Sequence, residues 1–237
     1  MKSKKSSKKK KPSKKEKATM EAVVKEIEEA LFKIKFYPVA VDEDSKNKAM
    51  EKLEKIYKKG SETVRQLLLY MMHNYLASSA EMKLMHTYEY FKVKRADQDP
   101  AQTRANVYRA IFNYNTSLEG ITEAIRLLGR LNGGDDAAKL LTYHYARLGM
   151  MENEGNRMLR AAIIDALGSS ESHYALKALL DYAKYCDNEI TVNRLVSALI
   201  DWEEKLDGLN ISSKEKKRLR EKMREFITKE AKASHYG

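Results

Sequence analysis

Five histidines and one cysteine are the residues of this chain best suited to metal or nucleophilic chemistry. The histidine spacings include neither the His-Glu-x-x-His motif of zinc enzymes nor the paired Glu-x-x-His motifs of four-helix di-iron sites. Cys186 is the only cysteine, so it cannot form an intramolecular disulfide or a cysteine-based zinc site. We therefore predict that the protein holds no metal and no cofactor. The five histidines are His73, His86, His144, His173 and His235.

Two other residue combinations could support catalysis, but a structural role explains each of them better. Cys186 could act as a nucleophile beside His144 or His173, although a lone cysteine near a helix end is typically inert. Glu203 and Glu204 could form a carboxylate pair, yet adjacent residues of a helix point in different directions. The sequence thus predicts a protein that is not an enzyme.

Lysine dominates the N-terminal segment, residues 1–17, which contains ten Lys and one Glu and carries a net charge of +9. Without apolar residues between its ends, this arm cannot bury enough surface to offset its chain entropy, so we expect it to be disordered. A flexible polycation releases counterions from nucleic-acid phosphates without reading sequence. Acidic protein, anionic lipid or no fixed partner are the alternatives. The lysines expected to contact nucleic acid are Lys4, Lys5, Lys8, Lys9, Lys10, Lys11, Lys14 and Lys15.

Four arginines begin similar apolar helical segments and could form a second charged surface. They are Arg65, Arg109, Arg160 and Arg194, at spacings of 44, 51 and 34 residues. If the helices that carry them stack side by side, the arginines would line one surface as an anion-binding stripe. The alternative is that each arginine pairs with an acidic neighbour in its own repeat.

The elements that must position these residues are predicted to be helices. The chain has only 10 Gly and 3 Pro, is 43% apolar and 33% charged, and its apolar residues recur at steps of three and four. Short loops make sequential helices antiparallel neighbours. The predicted helices cover residues 20–36, 46–59, 61–77, 81–94, 102–115, 118–131, 135–148, 157–167, 170–185, 188–206 and 214–232.

A repeat pattern is clearest in residues 152–206. Residues 158–181 read MLRAAIIDALGSSESHYALKALLD: a basic residue, an Ala-rich helix, Leu-Gly, a polar turn and a second helix with Ala-Leu pairs. Residues 188–206 look like the first helix of the following repeat. This segment resembles the HEAT-like helical-repeat family, and residues 61–148 resemble it more loosely. The resemblance implies an all-α fold of antiparallel helix pairs, an α-solenoid, that serves as a curved scaffold. An irregular helical bundle is the alternative.

The charge layout divides the chain into three parts. Residues 1–18 are the disordered Lys-rich arm, and 19–210 form the helical-repeat domain, since residues 18–210 are nearly neutral at −3. Residues 211–237, with a net charge of +5, form a basic C-terminal helix and tail. The sequence contains no apolar run of about 18 residues, so it predicts no membrane span. We expect a cytoplasmic location, or a nuclear one if the organism is eukaryotic.

These features favour a non-catalytic helical-repeat scaffold. Its body would bind a protein partner, and its arm would contact nucleic acid or a ribonucleoprotein. One alternative is a nucleic-acid-processing enzyme on a HEAT-like frame, such as a DNA glycosylase, which needs a concave basic surface in the body. The other is a self-assembling structural protein that packages nucleic acid.

Overall fold

Residues 14–38, 40–93, 118–131, 134–149, 154–186 and 188–233 are described by a computed structural model. As the sequence predicts, every regular element in these ranges is helical. A 3-10 turn, Leu206–Gly208, joins the last two helices. No helix in the same ranges combines the length and the apolar character needed to cross a bilayer. The α-helices are α1 (Lys14–Lys35), α2 (Glu43–Lys59), α3 (Glu62–Val93), α4 (Leu118–Arg130), α5 (Gly134–Leu148), α6 (Glu154–Ser169), α7 (His173–Tyr182), α8 (Glu189–Lys205) and α9 (Ser213–Ala233).

Short polar side chains fix the starts of several helices. Asp42 Oδ1 accepts a hydrogen bond from the Ser45 amide at 2.7 Å before α2. Asn188 Oδ1 accepts one from the Thr191 amide at 2.9 Å before α8. Ser172 Oγ accepts from two amides of α7, at 3.1 and 3.4 Å. Each such cap supplies a partner that the first helical turn lacks and typically stabilises a helix by about 1 kcal/mol.

Helices α4, α6 and α8 lie side by side and form the most closely packed part of the described structure. Helices α4 and α6 approach each other over Gly129, where an added Cβ would lie 2.7 Å from the Ala166 carbonyl oxygen. Helices α6 and α8 approach over Gly168, where an added Cβ would lie 2.9 Å from the Ala198 Cβ. Glycine and alanine at these crossings therefore allow near contact between helix backbones.

Trp202 of α8 packs in the interface between α8 and the C-terminal end of α6. Its side chain is fully buried, and its indole N–H donates to the Leu167 carbonyl oxygen at 3.1 Å. Lys205 Nζ donates to the Gly168 carbonyl oxygen at 2.7 Å. These two bonds supply partners for carbonyls at the C-terminal end of α6, which the helix itself cannot satisfy.

The remaining helices flank this row. Helices α5 and α7 pack on α6 and on each other, and α3 packs on α5, so that α3, α5 and α7 form a second layer. Helices α1 and α2 pack together and against α4, whereas α9 packs against α8. Lys46 joins α2 to α4: its side chain is almost fully buried and pairs with Glu123 at 3.3 Å.

Several predicted helix boundaries are wrong, including the starts of α2, α6 and α7, which the sequence places at residues 46, 157 and 170. The segments 61–77 and 81–94, predicted as two packed helices, form the continuous helix α3. The residues between them include no Gly or Pro, and serine costs a helix interior at most about 0.7 kcal/mol. The stop predicted at Gly168 is also wrong, because α6 continues to Ser169 and Gly168 lies against α8 instead.

Helix α1 begins at Lys14, ahead of the start predicted at Met20 and inside the segment assigned to the arm. Lysine, glutamate and alanine are good helix formers, and no helix breaker follows Pro12 in this stretch. The helix can therefore extend into the basic segment. The disorder predicted for the rest of the arm concerns residues 1–13, which lie outside the described residues, as does the predicted helix 102–115.

Candidate functional site

The lysines expected to contact nucleic acid lie mostly outside the described residues. Lys14 and Lys15 are in the first turn of α1, but the described set does not include their side chains. The contact between the arm and nucleic acid therefore stays a prediction. The lysines outside the described residues are Lys4, Lys5, Lys8, Lys9, Lys10 and Lys11.

Two arginines of the predicted anion-binding stripe contact tyrosines of neighbouring helices. Arg65 Nε donates to the Tyr57 carbonyl oxygen at 3.2 Å. The Arg160 guanidinium donates to the Tyr145 hydroxyl at 3.1 Å and lies over the same ring, 4.6 Å from its centroid. Both side chains are half-buried, so each takes part in helix packing.

Arg194, the third described member of the stripe, pairs with Asp165 of α6 at 3.4 Å. The partner is acidic, as in the alternative prediction, but it lies on the first helix of the preceding pair and not in the repeat that Arg194 begins. Arg109 lies outside the described residues. The stripe as a single anion-binding surface stays a prediction.

Two histidines, one on α3 and one on α5, contact each other although they are 71 residues apart in the chain. His73 Nδ1 lies 3.3 Å from His144 Nε2. Burial lowers the pKa of His144 to about 4, with further contributions from the charges of His73 and Arg147. The His144 imidazole is therefore neutral at pH 7. In the described part of the chain, no three His, Cys, Asp or Glu side chains are grouped to hold a metal ion.

Cys186 and Glu203, two of the residues considered for catalysis, contact other parts of the chain. Cys186 is half-buried, and its thiol contacts the Asn188 carbonyl oxygen at 3.9 Å. Glu203 accepts a hydrogen bond from Arg224 Nε of α9 at 2.6 Å, whereas Glu204 is exposed. The two adjacent carboxylates thus diverge, as expected for neighbours on a helix.

A groove runs between α7 and α9, two helices that are not consecutive in the chain. It encloses about 470 Å³. One wall comes from α7 and the turn that follows it, and the other from four turns of α9. We call it the α7–α9 groove. Its lining consists of Lys177, Leu180, Asp181, Ala183, Lys184, Glu215, Arg218, Leu219, Lys222, Glu225, Phe226 and Lys229.

The floor of the α7–α9 groove is apolar and its rim is charged. Leu180 and Leu219 are buried, and Ala183 and Phe226 are half-buried at its base. Around them the rim carries five Lys or Arg and three Asp or Glu, a net charge of +2. Nearly all of these charged side chains are exposed. A long apolar strip is thus bordered by charges of which the majority are positive.

Part of this charge is already neutralised within each helix. Asp181 pairs with Lys184 of the same wall at 2.5 Å, and Glu215 pairs with Arg218 at 3.7 Å. Lys177 and Lys222 face the groove from opposite walls and form no ion pair among the described residues. These two ammonium groups leave the groove with cationic charge available to an incoming ligand.

Contacts with α8 and the 3-10 turn hold α9 in place from the side away from the groove. Met223 is fully buried there. Arg220 pairs with Asp207 at 2.9 Å, and Arg224 pairs with Glu203 at 2.5 Å. These contacts attach α9 to α8 and to the 3-10 turn independently of α7.

His173 begins α7 close to the groove. Burial lowers the pKa of its imidazole, and the positive charge of Lys177 lowers it further, against opposing effects of Glu215 and Asp135. The imidazole is therefore neutral at pH 7 and adds no charge to the rim. The charge of the groove at neutral pH comes from its lysines, its arginine and its carboxylates.

The sequence predicts α9 as a basic helix but does not predict the groove. Part of the signal is present: Leu219, Lys222, Phe226 and Lys229 recur at steps of three and four, which places apolar and basic residues on one helix face. The other wall lies more than 30 residues earlier in the chain. Only the packing of α8 between the two segments brings these walls together.

Comparison of the chain with protein-family models, with curated proteins and with solved structures gives no match. The function is therefore inferred from the geometry and charge of the chain itself.

Proposed function

We propose that the protein is a non-catalytic helical scaffold that binds a protein partner through the α7–α9 groove. The observation that carries the proposal is the apolar floor of this groove within a charged rim. Protein interfaces commonly combine an apolar centre with a polar, solvent-accessible border. The side chains that line the groove are lysines, an arginine, carboxylates and aliphatic or aromatic groups, a set suited to recognition.

The HEAT-like resemblance is part of the same proposal. In this interpretation α4–α5, α6–α7 and α8–α9 are three successive helix pairs. The first helices of these pairs, α4, α6 and α8, pack side by side, which supports the interpretation. Stacked repeats of this kind present long continuous surfaces to their partners.

The basic arm supplies a second proposed contact. Its net charge of +9 over residues 1–17 supports binding to nucleic acid or to a ribonucleoprotein. In this proposal the arm concentrates the scaffold on a charged polymer in the cytoplasm, while the body binds a protein partner independently. The two contacts can therefore be separated by experiment.

Affinity capture with the tagged full-length chain and with a variant lacking residues 1–17 tests this proposal, with and without nuclease. We expect one set of proteins to survive both the deletion and the nuclease, because the body holds it. A second, nuclease-sensitive set should be lost on deletion. If nuclease removes every captured protein, the body does not bind protein and the proposed function is wrong.

Binding of labelled DNA and RNA at increasing salt is measured in parallel. Binding that weakens steeply with salt and disappears with residues 1–17 supports the role of the arm. Nucleic-acid binding that persists in the deletion variant contradicts it and favours the enzyme on a HEAT-like frame. A defined oligomer that does not depend on concentration, seen by light scattering, favours the self-assembling structural protein.

A further inference from the structure

We infer that the α7–α9 groove binds an acidic amphipathic α-helix of a partner protein. The inference rests on the proposed protein-binding function and specifies the chemistry of the partner. The shape, the floor and the charge of the groove each support it independently.

The shape of the groove suits a helix laid lengthwise. Its α9 wall runs from Glu215 to Lys229, four helical turns, which correspond to about 21 Å at 1.5 Å per residue. A compact small molecule would fill only a part of such a length. A helix of about 14 residues matches this length.

The floor offers apolar contacts at helical spacing. Leu219 and Phe226 are seven residues apart on α9, and Leu180 and Ala183 face them from the other wall. An amphipathic helix presents apolar side chains at positions i, i+3, i+4 and i+7, which repeat at the same interval. Leu180 and Leu219 are already buried, so a partner would remove chiefly the half-buried Ala183 and Phe226 from water.

The charge of the rim selects an acidic partner. The rim has an excess of two positive charges, and Lys177 and Lys222 lack ion-pair partners within the described residues. Glutamate or aspartate side chains that flank the apolar stripe of a partner helix would reach both walls. Such complementary charges speed association and exclude basic helices.

Nucleic acid fits the groove less well than an acidic helix does. Asp181, Glu215 and Glu225 stand on the same rim and would repel phosphates along its length. Among the lining side chains Phe226 is the only aromatic one, whereas single-strand binding uses several aromatic side chains in succession. The apolar floor would remain uncovered under a phosphate backbone.

Fluorescence anisotropy with the full-length chain tests the inference. The probe is a labelled peptide of about 16 residues with leucine at i, i+3, i+4 and i+7 and glutamate at most other positions. A scrambled peptide of the same composition is the control, because the polycationic arm attracts both peptides equally. We expect the amphipathic peptide to bind at least about tenfold more tightly. Equal binding of the two peptides would overturn the inference.

A charge-reversal variant assigns the binding to the groove. Lys222→Glu should weaken binding of the amphipathic peptide about tenfold, because it places a negative charge in the centre of the rim. Lys217→Glu is the matched control, since Lys217 is exposed on α9 and does not line the groove. It should change the affinity less than about twofold. Similar effects of the two substitutions would show that binding occurs elsewhere.

Phe226→Ala tests the apolar floor without changing the charge. We expect it to weaken the amphipathic peptide about fivefold or more and to leave the scrambled peptide unaffected. Circular dichroism confirms that each variant keeps its helical content. Unchanged affinity of a folded Phe226→Ala chain would contradict the role of the floor.

Two further outcomes would identify a different occupant and overturn the inference. A single-stranded oligothymidine that loses affinity with Lys222→Glu, but not with Lys217→Glu, would assign the groove to nucleic acid. A dimer in light scattering that dissociates only with Lys222→Glu would assign it to a second copy of the chain.

The affinity capture described above separates this inference from the proposed function. Proteins that are captured equally by the wild type and by Lys222→Glu would leave protein binding intact but remove it from the groove. If the body captures no protein at all, the proposed function itself is wrong.

Discussion

Helices α6 and α8 touch almost backbone to backbone, whereas α7 and α9, which follow them in the two successive pairs, stand apart across an open groove. Gly168 and Ala198 lie at the first contact, where an added Cβ would meet another at 2.9 Å. Leucine, phenylalanine and lysine side chains line the second pair of helices. Both regions are built from the same segment of helices, but only the first has a glycine and an alanine at its crossing.

The α4–α6–α8 row holds the fold together, whereas the α7–α9 groove is the region proposed for binding. In the α4–α6–α8 row, small residues let helices pack at high density, and the burial of Trp202 adds apolar contact. Along the groove, α9 packs on α8 and on the 3-10 turn, and Ala183 and Phe226 between α7 and α9 remain partly open to solvent. Substitutions in the first region should therefore affect stability, and those in the second should affect binding.

The largest difference in the free energy of unfolding should appear when two aromatic residues, one in each region, are replaced by alanine. Trp202→Ala should lower the free energy of unfolding by about 4 kcal/mol, because it opens a cavity and leaves the Leu167 carbonyl without its donor. Phe226→Ala should lower it by about 1 kcal/mol, since water can reach this half-buried site. Urea unfolding followed by circular dichroism measures both, and equal losses would mean that the groove is packed as tightly as the row.

Replacing a glycine at a helix crossing by alanine should have the next largest effect on the free energy of unfolding. Gly129→Ala should cost about 2 to 3 kcal/mol, since the new Cβ would lie 2.7 Å from a carbonyl oxygen of α6, and backbone atoms cannot rotate away. Gly208→Ala is the control, because no atom lies within 4 Å of its added Cβ, and it should change stability by less than about 0.5 kcal/mol. A neutral Gly129→Ala in thermal or urea unfolding would contradict the close contact of α4 and α6.

Acid should weaken the α3–α5 contact, which lies in the packed part of the molecule. The unfolded chain binds a proton at His144 near the ordinary pKa of 6.5, but the folded chain does so only near 4. The unfolded state therefore binds more protons between these values, and stability falls as the pH drops through this window. The loss from His144 should be about 2 kcal/mol between pH 7 and pH 5.

Urea unfolding of the wild type and of His144→Gln at several pH values measures this dependence. Glutamine cannot titrate in this range, so the folded variant should lose about 2 kcal/mol less than the wild type between pH 7 and pH 5. Identical pH dependence in the two chains would show that His144 is not buried in its neutral form.

The smallest expected effect is on the stability of the groove variants. Lys222 is exposed and forms no ion pair among the described residues, so Lys222→Glu should change the free energy of unfolding by less than about 0.5 kcal/mol. The same substitution should weaken binding of the acidic peptide. A large loss of stability would mean that Lys222 is part of the packed framework and that the two regions are not distinct.

Most helices could be predicted from the sequence because their signals are local. Gly60 ends α2, Asn188 caps α8, and apolar residues at steps of three and four mark the buried faces. Gly168 shows the limit of such signals, since a glycine that ends a helix and a glycine that admits a neighbouring helix look alike in sequence. Its role depends on Ala198, thirty residues further along the chain.

The candidate site could be predicted only in part. The basic, amphipathic character of α9 is present in its sequence, and so is the lysine-rich arm. The groove and the contact between His73 and His144 were not predicted, because each joins residues more than 30 positions apart. No periodicity within one helix specifies which face of a distant helix it will meet.

By itself, the sequence determined that the described chain is helical and where its positive charge is concentrated. These properties depend on backbone propensity, on side chains within one or two turns, and on composition. The tertiary structure decided which helices touch, which pair of helices remains separated by a groove and which histidine is buried. Those outcomes depend on the sizes of side chains that meet across helices, so they exist only once the whole chain is packed.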